Sequence, residues 1–367
     1  MKKGVIVLAV LFVAFSMLAA GCSKQLSAQE TLAKAIEASM EVESARFAST
    51  LKIGLDVPEE LVRQNPDLAM ALPVLNQSEW KLHGVIRQEP EIQAELIVEA
   101  NLKGDFSINF TVPMFITEDR VWVKVPEIPM PAGFIPEEVA GKYILLDLRE
   151  LQAMSGSESA EFGPQSVDVE TARKLVLELY GALSGSFDEE TYFTKSEVKE
   201  GDLPEGADAE TIVTFTVTEE QFDQAAAAFV ERALPQMLDI LSNAEYAEML
   251  GVDPAKLEQT KKEVEDESRT LQEDLAKLKE QFTVHELSLA SAVNRDQLIT
   301  YQKLALDMSV REEGRPHAVR VKLALDLVLS EINENPEFQY GRPADDQTVT
   351  LEQIQEAFEA SFGTGLE

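Results

Sequence analysis

One cysteine and three histidines in 367 residues leave little material for metal, redox or acid–base chemistry. The single thiol, Cys22, excludes an intrachain disulfide, so the fold has to stand without cross-links. His83, His285 and His317 are widely separated, with no pair at metal-ligand spacing. Phosphate-binding glycine loops and dinucleotide fingerprints are missing. So is a Gly-x-Ser-x-Gly nucleophile elbow: Ser155-Gly156-Ser157 and Ser184-Gly185-Ser186 come nearest, but lie in loop-like sequence without a histidine close by. Basic residues are scarce, 32 Lys and Arg against 66 Asp and Glu, for a net charge of −34. A surface of that sign repels nucleic acid and anionic headgroups, which excludes a nucleic-acid partner. Trp80 and Trp122 are the only tryptophans, and both sit in strand patterns where packing is the default role. The expectation is a non-enzymatic protein with no cofactor and no metal.

What is present starts at the N-terminus. Lys2 and Lys3 precede an apolar run, Val5 to Leu18, which is too short to span a bilayer comfortably as a mature helix. The run ends in Leu18-Ala19-Ala20-Gly21-Cys22, small residues that fit a narrow peptidase groove, followed directly by the cysteine. This resembles the lipobox of bacterial lipoproteins. The resemblance implies a signal peptide over 1–21, a diacylglycerol on the Cys22 thiol, further acylation of the palmitate type, and a location on the extracytoplasmic face of the cell membrane. Two or three acyl chains make a stable anchor where one does not.

Beyond a polar tether to residue 27, Ser27 and Glu30 form a capping box for a helix carrying Leu32, Ile36 and Met40. From Phe47 to Val57, and again from Glu79 to Val125, apolar and polar residues alternate with period two. Short polar connections such as Glu118-Asp119-Arg120 join them, as in an antiparallel meander with one apolar and one wet face. Tyr143 to Leu148 adds a strand. Residues 151–282 read as mainly helical: a helix with Leu175, Leu179 and Leu183 on one face, two strand-like runs near 192–198 and 211–217, and a helix opened by Thr218 and Gln221 and kinked at Pro235. A long charged helix follows from Asp253-Pro254, with Leu257, Val264, Leu271 and Leu278 every seven residues. Strand patterns return over 283–327, weakly at Leu287 and Leu289 and clearly at 298–310 and 319–327. A terminal helix is capped by Thr350 and Gln353. The expected organisation is residues 28–150 as helix and meander, 151–282 as helical insertion or lid, and 283–367 as further strands of the same sheet with a last helix.

The capped helix running into Glu43-Ser44-Ala45-Arg46-Phe47, the meander, Val121-Trp122-Val123-Lys124-Val125-Pro126 and Gly141-Lys142-Tyr143-Ile144-Leu145-Leu146-Asp147-Leu148 together resemble the LolA/LppX-like group of lipoproteins and lipoprotein carriers, especially its Gram-positive members. That resemblance covers residues 27–150 best and 283–360 more loosely. It implies an α+β fold: a curved antiparallel sheet, an open half-barrel, covered by helices with an apolar cavity between. The inward positions expected to line such a cavity are Phe47, Leu51, Ile53 and Leu55 on the first strand, Leu96 and Val98, then Phe106, Ile108 and Phe110, Val121 and Val123, and finally Leu304 and Leu306. The same residues serve equally well as filled core. Partners expected on this reading are the membrane, through acylated Cys22, and a lipid or other hydrophobic ligand. The alternative is an interaction or sensor subunit that docks a protein partner on the 219–282 helices and holds no small ligand.

Overall fold

The computed structural model describes residues 26–103, 107–126, 136, 139–148, 169–250, 252–267, 281–311 and 317–362. The signal sequence, Cys22, Phe106, and Leu271 and Leu278 of the heptad row lie outside the described residues.

The fold is α+β, built on one large, curved, unclosed sheet of 12 strands. Its strands in chain order are β1 Ser44–Asp56, β2 Glu79–Arg87, β3 Gln93–Lys103, β4 Ser107–Thr117, β5 Arg120–Lys124 and β6 Tyr143–Asp147. There follow β7 Phe193–Glu197, β8 Thr211–Thr218, β9 Phe282–Val293, β10 Ile299–Arg311, β11 Ala318–Ser330 and β12 Thr348–Thr350. Across the sheet the order is β12-β6-β5-β4-β3-β2-β1-β11-β10-β9-β8-β7. All neighbours are antiparallel except β12 and β6, which run parallel, so the sheet is mixed rather than purely antiparallel. β1, at the N-terminal end, pairs with β11, near the C-terminal end, and this joins the two strand-rich parts of the chain. The strand-like runs of the middle segment, β7 and β8, extend the same sheet beyond β9.

Register partners on paired strands point to one side. Following Phe215↔Leu289, Leu289↔Leu304, Leu304↔Leu325, Leu325↔Leu51, Leu51↔Trp80 and Trp80↔Ala100 traces an unbroken apolar row across the sheet. The period-two pattern in the sequence is this face. Gly84 sits in it because a Cβ there would lie 1.9 Å from the Glu95 carbonyl oxygen.

The helices are α1 Ala28–Ser39, α2 Glu59–Gln64, α3 Pro66–Gln77, α4 Val169–Ser184, α5 Glu189–Tyr192, α6 Phe222–Ala228, α7 Leu234–Leu241, α8 Ala244–Leu250, α9 Pro254–Glu267 and α10 Leu351–Phe362. Their ends follow local chemistry. The Ser27/Glu30 box is made in both directions, as is the Thr350/Gln353 box that opens α10. At Thr218 only half of the expected box forms: the Gln221 carboxamide oxygen accepts from the Thr218 amide at 3.0 Å and hydroxyl at 3.1 Å, and α6 starts without a side-chain cap. A five-residue π-helical turn, Phe229–Ala233, joins α6 to α7 just ahead of Pro235, where the chain loses a backbone donor. The Asp253 carboxylate caps α9 through the Ala255 amide at 2.9 Å.

Candidate ligand cavity

A cavity of about 540 Å³ lies between the apolar face of β7–β10 and the helices laid over it. The floor comes from Phe193, Phe215 and Val217 on β7 and β8, Val284, Leu287 and Leu289 on β9, and Leu306 on β10. The roof comes from Leu32 and Ile36 of α1, Tyr180 and Leu183 of α4, and Phe222, Ala225, Phe229 and Val230 of α6 and the π-turn. Phe187, Ala226, Ser184, Ser291 and Gln302 complete the lining, so among the described residues no charged side chain faces the space.

Polar contacts clamp the roof helix α1 at both ends. At its start, the Glu189 carboxylate accepts from the Ala28 amide at 2.5 Å, and the Gln29 carboxamide donates to the Ser184 and Phe187 carbonyls at 2.8 and 3.0 Å. The Lys195 ammonium donates to the Leu26 carbonyl and the Thr31 hydroxyl, both at 2.9 Å. At its end, the Ser39 hydroxyl accepts from the Ile299 amide at 3.0 Å. One wall is rigid: Phe187 meets Tyr192 and Phe215 edge-on, with centroids 5.3 and 5.2 Å apart, and Phe193 lies 5.1 Å from Phe215. The Tyr192 hydroxyl behind it is buried with no partner among the described residues, and burial pushes the phenol upward in pKa. Leu183 and Phe229 line the cavity yet remain more than a third exposed, which places them at its opening.

Of the residues put forward from sequence, Leu306 lines this cavity and Leu304 stands next to it in the same row. Phe47, Leu51, Ile53 and Leu55 continue that row on β1, Leu96 and Val98 on β3, Ile108 and Phe110 on β4, and Val121 and Val123 on β5. They share the face but not the cavity, and Phe106 lies outside the described residues. The enclosed space is at the β7–β10 end rather than over the N-terminal meander, because that is where α1, α4 and α6 roof the sheet. The buried side of α4 is Thr171, Leu175 and Ala182; Leu183, on the face expected from sequence, sits at the cavity opening, and Val176 turns outward.

The histidines each meet one carboxylate: His83 with Glu99 at 3.2 Å, His285 with Glu219 at 2.8 Å, and His317 with Glu60 at 2.9 Å. Among the described residues no cluster of His, Cys, Asp and Glu is suited to a metal, and no helix is long and apolar enough to cross a membrane. Comparisons with protein families, with curated proteins and with solved structures return no match for this chain.

Proposed function

We propose that this is a membrane-anchored extracytoplasmic lipoprotein, without enzymatic activity, that binds a lipid or other hydrophobic molecule between sheet and helices. The observation that carries this reading is the roofed cavity at the β7–β10 end, whose size falls within the roughly 300–1,000 Å³ of small-molecule sites. Burial of an acyl chain there gains on the order of 0.8 kcal/mol per CH₂. The finer architecture of the proposal is an open half-barrel of the LolA/LppX-like kind, in which the helical parts of residues 151–282 act as the lid. The lipobox-like Leu18–Cys22 sequence supports the anchor.

The protein-docking alternative requires a free apolar face on the 219–282 helices. Phe222, Ala225, Phe229 and Val230 direct theirs at the cavity, which favours the ligand reading. The deciding experiment is native mass spectrometry of the chain from residue 23, incubated with membrane extract and re-isolated. The expected result is a discrete added mass in the lipid range, removed by delipidation. An unliganded spectrum together with no uptake of a fluorescent fatty alcohol would remove the carrier reading.

A further inference from the structure

We infer that the cavity selects ligands whose buried polar group is uncharged, such as an alcohol or ester on a single long chain, and rejects the matching carboxylate. The inference rests on the hydrophobic-ligand reading above and narrows it to a chemical class. Three observations carry it.

The first is shape. The lining follows β9 from Val284 to Ser291, seven residue steps that at roughly 3.3 Å each make a slot about 23 Å long. A bilayer core of about 30 Å is two chains thick, so one acyl chain extends over roughly 15 Å and fits that length.

The second is the position of the polarity. Along the floor, the polar side chains are Ser291 and Gln302, which face each other across β9 and β10 at one end of the slot. Ser291 is 1% exposed, so this is an inner end and not the opening at Leu183 and Phe229. Gln302 donates one carboxamide N–H to the Ser291 hydroxyl at 3.3 Å. An amide has a second N–H and an acceptor oxygen, and a serine hydroxyl both donates and accepts. This pair answers a hydroxyl or an ester carbonyl in kind.

The third is charge. A carboxylate at that end would meet no lysine, arginine or histidine among the described residues of the lining. On the same face of the described strands Lys195 lies in the same row, two strands from Ser291 through Val213, and its ammonium already serves the Leu26 carbonyl and Thr31 hydroxyl. Burying an unpaired carboxylate is heavily penalised, and the acidic chain raises that cost further.

The test is equilibrium binding to the purified, delipidated full chain of two probes with equal chains, 1-hexadecanol and hexadecanoate, at pH 7.5. The expected result is alcohol binding at least about tenfold tighter than carboxylate. Gln302→Leu should shrink that preference by weakening the alcohol, and Gln302→Lys should invert it by supplying the missing cation. Circular dichroism establishes that both variants fold. Equal binding of the two probes, or tighter binding of the carboxylate, overturns the inference while leaving the hydrophobic-ligand reading in place. Binding of neither overturns both. A preference unchanged in both variants removes the Ser291–Gln302 pair as its source.

Discussion

At the β7–β10 end, helices lie over the apolar face, pack against it around Leu32, Phe187, Phe193 and Val213, and leave a cavity beside that cluster. At the β2–β6 end, a strap without regular structure, residues 331–342, lies over the opposite face. Phe115, Trp122 and Tyr143 form a buried cluster with Phe338 of the strap, whose ring stands edge-on to Phe115 at 5.2 Å. The Arg87 guanidinium lies 4.4 Å over Phe338 and donates to the Pro336 carbonyl, and Arg342 sits 5.0 Å over Trp122. Beneath the strap, the Glu95 side chain, 1% exposed, accepts from three successive amides, Gln339, Tyr340 and Gly341, at 2.6, 2.7 and 2.8 Å. One end is pinned by hydrogen bonds to the Glu95 carboxylate; at the other, the helix α1 buries Ala28, Leu32 and Ala35 against the sheet and the cavity opens beside them. The strap end packs around Phe115 and Trp122, whereas the helical end carries both a larger buried cluster and the cavity.

The comparison breaks most visibly at Glu95. Glu95→Ala removes the buried acceptor of three partly buried amides and should lower unfolding free energy by about 3 kcal/mol, read from the denaturant midpoint. Uptake of a hydrophobic probe by the folded fraction should be unchanged. A loss below about 1 kcal/mol would mean that the strap is not what holds that end. The next contrast sets Phe115→Ala against Leu287→Ala. The first empties a packed site and should cost about 3–4 kcal/mol; the second deletes atoms that already border open space and should cost about half as much. Equal costs would indicate that the cavity closes when empty. A smaller effect on stability comes from Ala225→Phe, which adds a ring to the cavity roof where there is room for it. Overpacking normally destabilises, but here stability should change by less than about 1 kcal/mol while probe uptake disappears.

How much of this is legible in the sequence differs between the two ends. The apolar row was readable wherever period two ran unbroken, as in β1, β3 and β10, and every described residue put forward from it does face one side of the sheet. Which part of that face stays unfilled depends on what lies above it, and alternation in a strand carries no information about its cover. The β9 signal was weak for a local reason. The register with β10 shifts between Asp307 and Met308, so that His285 is extra and Val284 and Leu287, three residues apart, both reach the cavity. Phe193, Phe215 and Val217 lie in two short strands whose membership of the sheet depends on pairing with β9, a long-range contact. The strap left no periodic trace. It turns through left-handed backbone at Glu331, Asn333, Asn335 and Gly341, and its asparagines and glycine are the one sequence sign of it.

The seam between the two ends is β10 and β11, where Asp307 accepts two hydrogen bonds from Arg320 at 2.6 and 2.7 Å on the face opposite the cavity. Arg320, by hydrogen bonding first and by its charge as well, holds the Asp307 carboxyl below its ordinary range, with Lys322 adding to the effect. The folded-state pKa lies below the unfolded value of about 3.9, so the pair contributes stability above that pH and loses it as pH falls through the folded value. Both side chains are partly exposed, at 22% and 41%, so screening keeps the contribution under about 1 kcal/mol. Asp307→Asn should therefore be slightly less stable than the parent at pH 7, and the difference should vanish as pH falls through the lowered folded value of Asp307, in urea titrations at each pH. Neither the strap nor the cavity depends on this pair, so the same variant should bind the alcohol probe with unaltered affinity at pH 7. A variant that loses stability and probe binding together would show that the two ends communicate through β10 and β11, and their independence would have to be abandoned.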